Sequence, residues 1–498
     1  MGMPRYPSLY QVNIRAWLTD LSRRLGRNVT LDDISDKTLD EWRASGFDWV
    51  WLLSVWQTGA ASRRVSRTHA EWRREFQATL PDLTDKDIPG SGFAIKAYQV
   101  HRTLGGNAAL KRLRARMAKR GLKLMLDFVP NHTALDHPWV ETHPEYFIAG
   151  SESLLAEQPA NYIRIQRPHD EVILALGRDP HFAGWPDALQ LNYAHPEVQT
   201  AMIAELQAVS ARCDGVRCDM AMLLLPDVFE RTWGERPELF WPRAIQDVKR
   251  RSPNFLFLAE VYWDLERTLQ QQGFDFTYDK RLYDRLRAQD PGAVRGHLQA
   301  DLAFQDKLAR FLENHDELRA ATTFAHGPYE AAAVITYLTP GLRFFHDGQF
   351  EGRKVHLSPH LGRAPHEVVD SELQEFYARL LEILKRPTFR EGQWRLLDCV
   401  PAWEGNWTND RFVAFNWTGP ETERAVVVVN FAPHSSQCYV QLSELDGSRR
   451  WNLTDLLGDE AYERDGSEMA AGGLYIDATG WKASLFWLKP ITPGAEGP

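Results

Sequence analysis

The chain reads as an α/β protein: a parallel eight-stranded (β/α)8 barrel, a subdomain inserted after its third strand, and a C-terminal antiparallel β-sandwich. Three observations predict this. Short apolar runs alternate with amphipathic helical stretches up to about residue 388. A proline-rich stretch between Asn131 and Pro196 interrupts that alternation. Beyond Arg386-Pro387 the helices give way to short β runs separated by Gly, Pro and Asn. A length of 498 residues accommodates these three units at about 150 residues each.

Taken in order, the eight barrel strand candidates are residues 10–14, 49–55, 122–127, 215–219, 255–260, 274–278, 309–313 and 342–346. Asn107 stands where it can cap a helix that carries Leu110, Leu113 and Met117 on one face. That helix closes with Lys119, Arg120 and Gly121. Leu122 to Asp127 follows as a buried strand stopped by Pro130. Pro196 opens a second helix, apolar at Val198, Met202, Leu206 and Val209, which leads into Gly215–Asp219. Six prolines (138, 144, 159, 168, 180 and 186) fall between Asn131 and Pro196, and a connection that long reads as a subdomain. Gln57 to Ser91 forms a second, Arg-rich insertion. The late β runs are 411–417, 425–431, 437–442, 474–477 and 483–488. The expected units are a barrel over 1–132 and 196–388, an inserted subdomain over 133–195, a sandwich over 389–490 and a mobile tail over 491–498.

Composition narrows the function. Lys and Arg total 58 against 67 Asp and Glu, a net charge of -9. That balance argues against nucleic acid or an anionic membrane surface as partner. No run approaches the roughly 20 apolar residues of a membrane span, and Met1 to Gln11 lacks the apolar core of a signal peptide. Four cysteines are too few for a disulfide framework, and Cys213 and Cys218 have no nearby His pair for zinc. Reduced thiols in a cytoplasm are the expectation. Eighteen Trp suit a large core, and they also suit sugar rings, whose C–H faces stack on indole.

Four strand candidates end in polar residues: Asp127-Phe-Val-Pro-Asn131-His132, Gly215-Val-Arg217-Cys-Asp219, Leu258-Ala-Glu260 and Glu313-Asn-His315-Asp316. In a parallel barrel the C-terminal strand ends converge on one mouth. Arg217 and Asp219, two apart, share a face. Each segment alone fits a strand-end cap or a surface ion pair; all four in this order on a β/α background predict one cavity.

In these four segments the sequence resembles the α-amylase family of retaining glycoside hydrolases and transglycosidases, a TIM-barrel family. The resemblance extends along the whole chain. It implies that Asp219 is the nucleophile, Glu260 the general acid/base and Asp316 the third essential carboxylate. It further implies that Arg217 sits beside the nucleophile, that His132 and His315 contact the sugar, and that Asp127 is structural. Tyr98, in Gly92-Phe-Ala-Ile-Lys-Ala-Tyr98, matches a tyrosine that stacks under the sugar. Asn131 matches a position that binds structural calcium in many members, yet no loop of alternating acids lies nearby. Calcium is compatible and not predicted; no cofactor and no catalytic metal is expected.

The chemistry suits these residue types. Retention needs an attacking carboxylate and a proton-donating carboxylic acid about 5–5.5 Å apart. Arg217 favours an ionised Asp219, whereas burial near Tyr262 and Trp263, together with the charge of Asp219, favours a protonated Glu260. Some positions depart from the family pattern. Met222 and Leu223 stand where many starch-cleaving members carry a Lys-His pair, and Ala94 and Ala97 replace frequent acids. Phe344-Phe-His346-Asp347-Gly-Gln349 is followed by Arg353, Lys354 and Arg363, and an earlier cluster holds Arg63, Arg64, Arg67, Arg73 and Arg74. Both basic groups fit a solvated face, with an anionic or unusual acceptor as the alternative for each. The expected activity is retaining cleavage of α-glucosidic bonds in an α-linked oligosaccharide or small glucoside. Transglycosylation or isomerisation with the same residues is the alternative, and a non-catalytic binding protein is the third reading.

Overall fold

The computed structural model describes residues 3–325, 327–420, 423–442 and 444–491. Apart from Ile491, the tail expected at 491–498 lies outside the described residues.

Eight parallel strands close a barrel: β1 (Ser8–Asn13), β2 (Trp49–Leu53), β3 (Lys123–Phe128), β4 (Gly215–Cys218), β5 (Leu256–Ala259), β6 (Phe276–Tyr278), β7 (Leu308–Phe311) and β8 (Leu342–His346). Each pairs with its neighbours in sequence, and β8 returns to β1 with Ser8 opposite Arg343 and Gln11 opposite His346. Except for Lys123, every residue of these strands is buried. Alternate residues fill the barrel or meet the surrounding helices, which explains why the strands read as continuous apolar runs.

The helix after the second insertion spans Gly106–Ala118, with Leu110, Leu113 and Met117 buried as anticipated. Its cap is Gly105, at φ +94, and not Asn107. Asn107 lies inside the first turn, and its side chain accepts from the Val100 N–H at 2.9 Å, tying the helix back to the preceding strand. The helix Pro196–Ser210 starts at its proline.

Between β3 and β4 the chain leaves and re-enters the barrel as an antiparallel pair, His132–Ala134 against Ala188–Gln190. A second hairpin, Tyr162–Gln166 with Glu171–Ala175, lies within the insertion. The Gln57–Ser91 stretch forms helices Ala60–Thr68 and Ala70–Thr79. Phe76, Leu80 and Ile88 pack there on Leu361.

The C-terminal unit holds a six-stranded and a three-stranded antiparallel sheet. Its five anticipated strands are present, joined by Gln393–Leu397, Cys399–Pro401, Arg450–Asp455 and Ala461–Asp465. One face of the larger sheet, with Phe415, Trp417, Val427, Val429, Leu485 and Trp487, shares the barrel's core. A separate core fills the space between the two sheets.

Candidate active site

The ladder of β3, β4 and β5 runs one residue past the strands. The Asp219 N–H donates to the Phe128 carbonyl at 2.9 Å and the Glu260 N–H to the Cys218 carbonyl at 3.0 Å. Asp219 and Glu260 are therefore held side by side at the same level of the barrel mouth. Met220 follows in the left-handed region, φ +43, uncommon for a side chain of that size. This turn points its N–H at Glu260 Oε2, 2.6 Å away. Glu260 Oε1 accepts from the Tyr262 hydroxyl at 2.9 Å.

Arg217 is the hub. Its Nη1 contacts Asp219 Oδ1; its Nη2 lies 2.8 Å from Glu260 Oε2 and 3.9 Å from Asp316 Oδ2. Its Nε donates to the Tyr278 hydroxyl at 3.3 Å. The guanidinium sits 5.2–5.8 Å from the ring centres of Trp51, Phe93 and Tyr278, and the planar group can stack where an ammonium could not. The two terminal nitrogens of one guanidinium thus hold the Asp219 and Glu260 carboxyls close together.

Burial pushes the Glu260 carboxyl up to about 8; Arg217 opposes that shift and the charge of Asp219 adds to it. Asp316 is also raised, by burial against the pull of Arg217. Its side chain keeps 39% of its surface accessible, against 7% for Asp219 and 5% for Glu260, so it is the carboxyl that faces the open cleft.

Gln11 Nε2 donates to His315 Nδ1 at 2.8 Å, which leaves the ring proton on Nε2. That nitrogen is 3.1 Å from Asp316 Oδ2 but poorly aligned for a hydrogen bond. A buried donor without a partner is free for an incoming hydroxyl. Burial, and next Arg217, holds His315 well below the usual imidazole range. His132, lowered by burial, lies against Trp185 with ring centres 5.0 Å apart. Asp127 accepts from Trp51 Nε1 and the Ser54 N–H, both at 3.1 Å, and burial raises it to about 7. It braces the wall and does not enter the cleft.

Three expected residues sit elsewhere. Tyr98 does not floor the site: its hydroxyl is held by the N–H and carbonyl of Val129, both at 2.9 Å, and its ring packs between Trp56 and Phe128. The aromatic face at the charged centre belongs to Phe93, which stacks on His315 at 5.3 Å. Met222 and Leu223, expected on the leaving-group side, are 0% and 3% exposed and lie in the core. The tight turn after Met220 directs them inward.

Several residues of the basic clusters are held by carboxylates. Arg363 pairs with Asp82 at 2.8 Å and Asp87 at 2.7 Å, clamping the 57–91 insertion. Arg73 pairs with Asp85, and Arg353 lies 3.6 Å from Asp347. The Asn131 amide is engaged with Gln190. Asn131 Nδ2 donates to Gln190 Oε1 at 3.2 Å, and Gln190 Nε2 donates to Asn131 Oδ1 at 3.0 Å. Among the described residues, no group of three or more His, Cys, Asp or Glu side chains could hold a metal ion.

Sequence reasoning missed Phe93, Gln11 and Tyr278. Phe93 had a signal, since it adjoins Gly92 in the motif used for Tyr98. Gln11 had a weaker one, as a polar residue flanked by Tyr10 and Val12 in a buried strand.

Fold and site together define an α/β-barrel protein with a carboxylate centre at the C-terminal ends of its strands. Residues 39–358 match the alpha-amylase catalytic-domain model, and the chain belongs to the alpha-amylase family. Alpha-amylase MalA of Haloarcula japonica is 27% identical over 70% of this chain and 49% of its own length. An alpha-1,4-glucan:maltose-1-phosphate maltosyltransferase of Rhodospirillum rubrum is 26% identical over 51% of this chain and 32% of its own. The chain thus spans about half or less of the curated relatives it matches. Among solved structures, a maltogenic alpha-amylase AmyB from Thermotoga neapolitana superposes with a TM-score of 0.69 at 17% identity, covering 98% of this chain and 99% of that one. An alpha-amylase from Geobacillus thermoleovorans, complexed with acarbose, gives 0.68 at 19% identity, covering 99% and 100%.

Proposed function

We propose that the protein cleaves α-glucosidic bonds with retention, through a covalent glycosyl-enzyme, in short oligosaccharides or small α-glucosides. The arrangement of Asp219 and Glu260 on the single guanidinium of Arg217 carries this reading. Asp219 attacks the anomeric carbon while the bond to the leaving oxygen breaks, and that oxygen takes its electron pair and the proton of Glu260. Asp219 loses its charge when it becomes an ester. Glu260 then turns more acidic and, as a carboxylate, draws the proton from an incoming water, which displaces Asp219. His132, His315 and Asp316 hold ring hydroxyls as charge develops. No metal takes part.

The barrel unit is assigned to 1–132 and 196–388, the insertion to 133–195 and the sandwich to 389–490. A cytoplasmic setting agrees with the sparse cysteines. Transfer to a sugar in place of water is the second reading, and the maltosyltransferase among the relatives favours it. A binding-only role would not need the carboxylate pair.

Asp219→Ala should abolish turnover while the fold persists; retention of more than a tenth of kcat, about 1.4 kcal/mol of barrier, would refute the nucleophile. In Glu260→Ala, azide should restore part of the turnover on activated glycosides. Two insertions at the barrel mouth favour short substrates. We therefore expect kcat/KM on a di- or trisaccharide to exceed that on soluble starch at least about tenfold. An early fall in iodine staining of amylose, with little maltose or glucose released, would refute the short-substrate reading.

A further inference from the structure

Two cysteines meet in the C-terminal unit. Cys399 begins the strand Cys399–Pro401, and Cys438 lies in its neighbour Ser436–Val440. The strands are antiparallel, with Cys399 opposite Val440 and Pro401 opposite Cys438. The Gln441 N–H donates to the Asp398 carbonyl at 2.9 Å. The next pair along, Cys399 with Val440, is therefore a non-hydrogen-bonded one, where side chains approach most closely. Val440 and Cys438 belong to the core between the two sheets, and Cys399 packs against it. Both sulfurs thus lie on one face, at diagonal positions of one strand pair.

The two thiols differ in access. Cys438 is fully buried, whereas Cys399 is half-buried. The Cys399 sulfur, as hydrogen-bond partner, and next burial push the Cys438 thiol up. Cys213 and Cys218 are buried as well, and burial pushes both of those thiols up. Cys399 is thus the cysteine that solvent reaches. Its strand can also give. Diagonal neighbours stand about 7–8 Å apart between Cα atoms, and a disulfide needs less than about 7 Å, so closure asks for a shift of about 1 Å. Cys399–Pro401 is a three-residue strand at the edge of its sheet, and Pro401 has no N–H to give to the ladder. Bonds from the following turn keep it in place: Asn409 Nδ2 donates to the Cys399 carbonyl at 2.9 Å, and the Gln437 N–H to Thr408 Oγ1 at 2.8 Å.

We propose that Cys399 and Cys438 form a thiol–disulfide exchange site, which closes a reversible cross-strand disulfide at the expense of a small disulfide of the glutathione type. The Cys399 thiolate, its proton lost to water, attacks one sulfur of the small disulfide. That S–S bond breaks, and the departing thiolate takes up a proton. The Cys438 sulfur then attacks the Cys399 sulfur of the mixed disulfide and expels the second small thiolate, which receives the Cys438 proton. Two cysteine thiols are oxidised and one small disulfide is reduced to two thiols. The new bond ties the edge strand to its neighbour and restricts the unfolded chain between the two residues, so the oxidised protein resists unfolding more. The site works independently of the chemistry assigned to Asp219 and Glu260.

Equilibration of the native protein with oxidised glutathione, followed by trapping of the remaining thiols and peptide mapping, reads the site. Oxidised wild type should keep free thiols at Cys213 and Cys218 and yield one peptide pair linked through Cys399 and Cys438. Its melting temperature should rise by at least about 3 °C and fall back with excess dithiothreitol. Cys399→Ser should keep all its thiols and show no shift. Cys438→Ala should stop with glutathione on Cys399. Circular dichroism checks that both variants fold, and the wild-type map with Cys399→Ser decides if Cys438→Ala does not. Four trapped thiols in the oxidised wild type, a mixed disulfide that persists on Cys399, or a bond between two copies of the chain overturns the proposal.

Discussion

At the scale of single residues, the site is governed by how one arginine is shared. The same Arg217 contacts Asp219 and restrains the upward shift of Glu260 that burial causes. Glu260 can act as proton donor only while it holds its proton. A folded-state value of about 8 keeps the acid form dominant at neutral pH and loses it as pH rises through that value. The expected outcome is a kcat/KM profile on an unactivated glycoside that declines above about pH 8. On an activated aryl glycoside, which needs no proton, Glu260→Gln should lack that limb. A wild-type limb near pH 5 would show that burial does not control this carboxyl. Asp219 and Glu260 were legible as strand-end carboxyls because each directly follows a buried strand, whereas Asp316 lies in the loop beyond β7. Tyr98 and Phe93 were not separable that way. They share one motif, and only packing decides that the Tyr98 hydroxyl is spent on Val129 while Phe93 faces Arg217.

At the scale of elements, legibility followed burial. The eight barrel strands are apolar runs between turn residues, so pattern alone marks them. Ala461–Asp465 is exposed along its whole length and gives no such mark. Arg450–Asp455 does alternate, with Trp451, Leu453 and Asp455 inward, but its polar residues hide a short strand. Asn107 misled because an Asn near a helix start is a common cap, whereas here a strand amide claims its side chain. One junction depends on a missing side chain. Gly341, between the helix Tyr329–Leu338 and β8, has φ +115, and a Cβ there would lie 2.1 Å from the Leu308 carbonyl oxygen. Backbone cannot yield as a side-chain tip can. Gly341→Ala should therefore cost several kcal/mol, above the roughly 1 kcal/mol typical of point changes, measured as a lower midpoint in urea unfolding. A loss below about 1 kcal/mol would mean that β7 and β8 tolerate separation.

At the scale of the whole molecule, the barrel and the larger C-terminal sheet share one core. The helix Tyr329–Leu338 is buried at every position except Glu330, because it has the barrel on one side and the sheet on the other. Trp417, fully buried, is the rivet: its Nε1 donates to the Leu338 carbonyl at 2.7 Å, and its ring meets Tyr6 at 5.1 Å and Phe389 at 5.9 Å. Trp417→Ala should cost about 3–5 kcal/mol and lower the melting temperature of barrel and sheet together, seen as a single shifted calorimetric peak. Two separated transitions would show that the units are independent. The shared core also sets an order of events during synthesis. Strand Ala483–Pro490 lies inside the larger sheet, between Arg424–Asn430 and Arg450–Asp455. At roughly 5–20 residues per second, the ribosome holds back this inner strand for seconds after β8 is made. For that interval the outer face of Tyr329–Leu338 stays uncovered, a window in which a nascent barrel needs a chaperone or risks pairing with its neighbour on the polysome.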